Sequence, residues 1–321
     1  MITDVFYKRY AFPMLHSDKL PAAAQTFFRQ AALILLHDVA PLLSSRDEIF
    51  RSSHQRLTRE LGAGFLADGE TYEDRCISFV GEAYDLWNDR HGTADWFFKL
   101  RLSAVELLFR EIEARCKSVC PTGTPSLWEQ IAKKRGSAIA GSQDVTLPDA
   151  TRAAVEELNV RFREARIPLS YHNGLIQFTN NEFTTDQIEK PFWDILSEQK
   201  WKNADSDMKE ALDRRDNSKS DAAFYALKAL ESVVKIISDE RGWTRGKENG
   251  AAAYIDNLVS QSNGRFIDVW EADAMKFLFG QIRNPQGHGA GSQAPLLLST
   301  QQSSFVIECA MSWIKSLAQR P

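Results

Sequence analysis

At 321 residues, 43% hydrophobic and 26% charged, the chain has ample material for a packed core and, at about 150 residues each, for roughly two domains. A net charge of −4 excludes a protein coated in cations for grasping duplex nucleic acid, which takes clustered Lys and Arg. The longest apolar run, AALILL at 31–36, is too short for a bilayer, and four cysteines make no disulfide framework.

Apolar residues three and four apart predict helices over 22–42, 45–62, 71–89, 94–117 and 148–165. The N-terminal MITDVFYKRYAFPML lacks the pattern of a cleavable leader, so the expected compartment is the cytoplasm, with no membrane attachment. Thr71 and Thr93 stand where helix caps are needed. CPTGTPS at 120–126 and KKRGSAIAGSQD at 133–144 read as loops. The rhythm changes at 168. In PLSYHNGLIQFTN, Asn173-Gly174 lies between two short apolar runs. The pair takes the positive φ angles of a tight turn readily, which predicts a small β-hairpin. A Trp-containing helical segment follows, and the polar RRDNSKS at 214–220 reads as a domain boundary.

Four helices are predicted beyond it. The first, 221–240, aligns Ala223, Leu227, Leu230, Val234 and Ile237, with Ser220 as candidate cap. The second, 250–261, carries Ala251, Ile255 and Leu258. A third begins at Asp268, with Glu271 reaching back to it, and a fourth at Ser299, with Gln302 in the same place. The third is apolar nearly all round through Val269, Trp270, Ala274, Phe277, Leu278 and Ile282. That surplus predicts a homodimer contact, or packing against the N-terminal domain. The expected architecture is mostly α. It has a helical N-terminal domain at 1–165, a β-hairpin and helical connector at 166–215, and an up-and-down four-helix bundle at 216–321.

The third helix runs into QIRNPQGHGAGS at 281–292. Proline disfavours the helical conformation at the residue before it, so Asn284 is expected to leave the helix at Pro285. A cation at a helix C-terminus is by itself a complete explanation of Arg283. His288 is harder to explain so simply, because Gly287 and Gly289 flank it and leave its ring free to be aimed. Guanidinium holds phosphoryl oxygens in a fork and imidazole moves protons near neutral pH, which together are what cleavage of an RNA phosphodiester needs.

An Arg, a polar residue directly after it and a His separated from the Arg by four to six residues, in a four-helix setting, resemble the HEPN superfamily. RNPQGHG after an apolar helix, with AAFYALKALESVVKII in the first bundle helix, is similar to the abortive-infection C-terminal domains of bacterial phage-defence proteins. The N-terminal part resembles the variable domains of AbiJ-type proteins. The resemblance implies a metal-independent endoribonuclease, often dimeric, with two motifs facing one cleft and no cofactor. In it Arg283 stabilises charge on the phosphate, Asn284 orients substrate, and His288 is the acid or base. Lys228 and Glu231 are candidates for lining the cleft, with a surface ion pair as the alternative. A phage or host trigger would act through the N-terminal domain. The competing expectation is a catalytically silent helical module that binds a nucleotide, RNA or protein partner.

Bare spacing identifies little, since Arg9 with His16 and Arg166 with His172 satisfy it too. Tyr10 and Ile167 follow those arginines, so both pairs lack the polar residue. Ala290 stands where some toxin members have a tyrosine, which sets this chain apart from that branch. In RGWTRGK at 241–247, Arg241, Arg245 and Lys247 surround Trp243, a pattern that suits a base and its phosphate but equally a solvated loop. Cys116 and Cys120 have no second pair to complete a zinc site, and the glycines at 242, 246 and 250 form no Walker-type loop.

Overall fold

The computed structural model describes residues 5–64, 66–85, 93–119, 146–179, 188–287 and 296–320. The loops expected at 120–126 and 133–144 lie outside the described residues. The chain forms two compact units, Thr3–Ile176 and Gln177–Pro321, that divide within the second strand of the hairpin. The architecture is mostly helical, and among the described residues no helix is long and apolar enough to cross a membrane.

The first unit holds α1 (Phe6–Arg9), α2 (Ala22–Ile34), α3 (Arg46–Leu61), α4 (Tyr72–Gly81), α5 (Ala94–Val119) and α6 (Leu147–Glu164). A capping box between Thr71 and Asp74 opens α4. That helix stops at Gly81, short of the predicted 89. The Glu82 carbonyl instead accepts from Gln25 Nε2 at 3.0 Å, while its carboxylate takes Arg101 at 2.8 Å. Arg101 is fully buried between the rings of Phe79 and Phe97, 3.9 and 4.0 Å from its guanidinium carbon. Burial brings its pKa down to about 9 against the opposing pull of Glu82.

Arg9 belongs to this core. It grips Glu106 on α5 with two bonds, at 2.8 and 2.5 Å, and donates to the Ile176 carbonyl at 2.8 Å. Ile176 N–H and Arg110 complete the carboxylate's shell at 2.8 Å each. The resemblance of Arg9 to a motif arginine therefore ends in a buried bidentate pair.

The hairpin pairs β1 (Leu169–His172) with β2 (Leu175–Phe178). Asn173 and Gly174 sit at φ 43° and 89°, the two left-handed positions that a tight hairpin turn demands. Arg110 Nε donates to the Gly174 carbonyl at 2.7 Å.

The second unit holds α7 (Lys190–Leu196), α8 (Lys202–Asp216), α9 (Ala222–Glu240), α10 (Ala251–Val259), α11 (Val269–Leu278), α12 (Asn284–Gly287) and α13 (Thr300–Ala318). Its centre is α9, which packs on α8, α10 and α13. The small Ala222, Ala223, Ala226 and Ala229 let neighbours approach, and Leu227, Leu230, Val233 and Val234 fill the space between. Each large aliphatic buried there contributes about 1.5–3 kcal/mol. Phe192, Trp193, Trp201, Met208 and Leu212 join the same cluster, so α7 and α8 share the core of the four later helices. The polar stretch 214–220 spans the last turn of α8 and the tight turn into α9. Lys219 N–H closes on the Arg214 carbonyl at 2.8 Å, and Arg214 bridges to Asp221 at 2.5 Å. Asp221, not Ser220, occupies the cap position of α9. The capping boxes at Asp268–Glu271 and Ser299–Gln302 form as predicted.

Candidate active site

Proline does not end the third bundle helix as expected. After α11 the chain widens into a π-turn over Phe279–Arg283, where Asn284 N–H reaches back to the Phe279 carbonyl. Asn284 is helical, at φ −66° and ψ −44°, and α12 carries on through Pro285. An ordinary α-turn would drive the proline ring into the carbonyl four residues back. The extra residue in the wider turn relieves that conflict, so the helix shifts register rather than stopping.

Arg283, the last residue of the π-turn, faces α9. Its Nη2 donates to Glu231 Oε2 at 2.8 Å. The other carboxylate oxygen of Glu231 meets Lys235 Nζ at 2.8 Å, and Glu231 itself is 5% exposed. Two cations thus compensate one buried carboxylate. The ring of Phe224 lies 5.7 Å from the Arg283 guanidinium carbon. Arg283 Nε is buried with no hydrogen-bond partner among the described residues, and Nη1 approaches Asn284 Oδ1 at a marginal 3.5 Å. Burial closes Nε to a ligand, so the donors left beyond the Glu231 pair are those of the terminal nitrogens, Nη1 being only marginally engaged. His288 lies outside the described residues.

Lys228 is one turn before Glu231 on α9 but turns to α8, where its Nζ meets Asp207 Oδ1 at 2.8 Å. Burial raises the Asp207 carboxyl above its ordinary range. Lys228 opposes that rise, and the nearby Glu210 and Glu231 add to it.

The 241–247 loop forms elsewhere. It starts ten residues beyond Glu231, about 15 Å along the axis of α9. Gly242, at φ 68°, ends α9: its N–H bonds the Asp239 carbonyl at 3.0 Å, and Trp243 N–H bonds Ser238 at 2.8 Å. Trp243 packs against the core and meets Phe266 at 5.7 Å, while Arg241 covers the Phe266 ring at 4.5 Å. Arg245 and Lys247 are exposed. Their backbone N–H groups donate to Glu248 at 2.7 and 3.0 Å, and Asn257 Nδ2 does so at 3.2 Å. These donors, the Arg245 amide foremost, hold the Glu248 carboxyl down to about 2.

Sequence reasoning thus found Arg283 and Glu231 but not that they meet, and it passed over Phe224 and Lys235. The signal for those two was available: Phe224, Lys228, Glu231 and Lys235 recur at helical spacing on one face of α9. Cys116 Sγ lies 3.4 Å from Thr151 Oγ1, while Cys120 lies outside the described residues.

Residues 202–320 match the family described as Abi_C, HEPN-like domain. No curated protein and no solved structure matches the chain. The stretch from α8 to the end of α13, which contains the Arg283–Glu231 pair, is thus a HEPN-like domain of the abortive-infection C-terminal family.

Proposed function

We propose that the protein is a metal-independent endoribonuclease of bacterial phage defence, acting in the cytoplasm by abortive infection. One observation carries this: in a HEPN-like domain, Arg283 is held at 2.8 Å by a buried carboxylate, directly before Asn284 and five residues before His288. In the proposed reaction His288 takes the proton of a ribose 2′-hydroxyl. The 2′-oxygen attacks the adjacent phosphorus, the bond from phosphorus to the 5′-oxygen breaks, and that oxygen leaves with a proton taken from water, after which His288 returns its own proton to solvent. The products are a 2′,3′-cyclic phosphate and a 5′-hydroxyl. Arg283 stabilises the charge that builds on the phosphate oxygens, and Asn284 orients the substrate.

The working form is proposed to be a homodimer. Val269, Trp270 and Phe277 on α11 and Phe305 on α13 are each more than half exposed, the kind of clustered apolar side chains that an association surface covers. In the 241–247 loop, Arg245 and Lys247 are the proposed RNA contacts, with Arg241 and Trp243 supporting them from the Phe266 cluster. Glu231, through its pair with Arg283, and Lys228, from its place against Asp207, are the proposed lining of the cleft. The N-terminal unit is proposed to receive a phage or host trigger.

A silent binding module is the competing function, and the ion pair of Glu231 with Arg283 and Lys235 is what such a module would retain for stability. Growth of cells expressing the protein or His288→Ala, with and without phage, decides between them. Wild-type protein that protects the culture or arrests growth, with loss of either effect in the variant, supports the nuclease. Equal behaviour in both conditions defeats it.

A further inference from the structure

Phe224 is an aromatic side chain that the bundle core does not take up. Its ring is half-buried, and among the described residues it lies outside the apolar cluster that its neighbour Tyr225 joins. Among the described residues its ring meets Tyr225 in a T-shaped pair at 5.4 Å and the Arg283 guanidinium at 5.7 Å. Lys228 and Lys235 follow on the same face of α9, part-exposed but paired with Asp207 and Glu231. A half-open ring next to a part-exposed guanidinium suits a group that is flat on one side and anionic on the other.

We propose that Phe224 is the platform on which a base of single-stranded RNA stacks, next to the phosphate held by Arg283. This rests on the ribonuclease function proposed above and assigns the substrate's form. The separation of ring and guanidinium is on the scale of one nucleotide, from base to phosphate. Duplex RNA keeps its bases paired and stacked inside, where the ring could not reach them. Every base has a π-face, so the contact favours unpaired RNA without selecting its sequence.

The test uses the full chain and a single-stranded oligoribonucleotide with all its 2′-hydroxyls methylated, which binds but cannot be cut by 2′-attack. Phe224→Leu, which keeps apolar bulk, is expected to weaken binding about five- to a hundredfold, and Phe224→Trp to restore it. With unmodified RNA, Phe224→Leu is expected to raise KM and leave kcat within about twofold. Equal binding by wild type and Phe224→Leu overturns the proposal. So does a fall in kcat at constant KM, which would make the ring a support for Arg283 alone. Wild-type protein that shows Phe224-dependent binding but cuts no RNA defeats the nuclease function and leaves the platform standing. Cutting that is indifferent to Phe224→Leu defeats the platform alone, and wild-type protein that binds no RNA defeats both.

Discussion

Arg283 and Glu231 stand 52 positions apart in sequence and 2.8 Å apart in space. The pair joins a π-turn to the middle of the central helix of the bundle, and its carboxylate is the buried member. Glu231 thereby sets where the guanidinium can point. It also lets Lys235 approach a second cation without net repulsion, since each cation has its own carboxylate oxygen.

Glu231→Gln keeps the shape of the side chain and removes its charge. The amide can accept from one cation only, and it turns its NH2 toward the other. Arg283 and Lys235 both reach solvent, which screens part of the loss, so about 1–2 kcal/mol of stability should go rather than the full cost of breaking a buried pair. Cleavage should fall about tenfold or more, because Arg283 loses its fixed orientation. Chemical denaturation and a cleavage assay on the same preparation check both. Unchanged cleavage would show that Arg283 is placed by something other than Glu231.

Arg283→Lys should impair cleavage almost as much as Arg283→Ala. Lysine keeps the charge but loses the planar fork, which serves Glu231 with one prong and in the proposed reaction serves the phosphate with another. Single-turnover rates of the two variants are the measurement. Near-normal rates for the lysine variant would show that charge alone suffices.

The helices and their caps were legible in sequence because apolar periodicity and cap chemistry are local. Thr71, Asp268 and Ser299 each cap through a partner three residues away. The turn at 214–220 read as a boundary because its partners, such as Arg214 and Asp221, satisfy one another within a few residues and leave a polar surface. The π-turn was not legible. A proline after an apolar helix ordinarily means an exit, and whether the helix widens instead depends on the room around it. Nor could spacing separate Arg9 from Arg283. Arg9 meets Glu106 in a fully buried pair, while Arg283 keeps 24% of its side chain in solvent, and that difference exists only after folding.

Stability of the N-terminal unit should depend on His54. Its ring is buried against Tyr72 at 5.2 Å, with the Arg51 and Arg75 guanidinium carbons 5.3 and 5.8 Å from that tyrosine ring. Burial, then the Arg75 charge, lowers the imidazole below its ordinary value of 6.5. The unfolded chain therefore takes up the proton first as pH falls. This contribution to stability is present above about pH 6.5 and is lost below it, down to the lowered folded value. Urea denaturation of wild type and His54→Gln at about pH 7.5 and pH 5.5 should show a smaller loss in the variant. Identical losses would show that His54 does not titrate in this range.

Trp270→Asp and Phe277→Glu should each shift the protein from dimer to monomer. The two side chains are 66% and 64% exposed and lie seven residues apart, on one face of α11. Phe305 on α13 is 63% exposed, and Trp270 meets Trp313 of that helix at 6.3 Å, so the apolar surface extends across both helices. A charge placed in the middle of such an interface stays unpaired on association. Light scattering at tens of micromolar is the measurement, and a wild-type monomer there would defeat the dimer outright.

Cleavage should survive chelation and require the 2′-hydroxyl at the cut site. The proposed chemistry draws on a guanidinium for charge and on an imidazole for the proton, and one such proton transfer is worth about a hundred- to ten-thousandfold in rate. The nucleophile comes from the substrate itself, so no metal is needed to generate hydroxide from water. Replacing the ribose immediately 5′ to the scissile phosphate with its 2′-deoxy form removes that nucleophile and changes little else. Cutting at that position should then stop while cutting at other sites continues, and DNA should not be cut at all. The assay is run with EDTA present throughout, and the products are tested for a 2′,3′-cyclic phosphate. Continued cutting 3′ to the deoxy residue would defeat attack by the 2′-hydroxyl. Loss of all cutting on chelation would instead assign the chemistry to a bound metal.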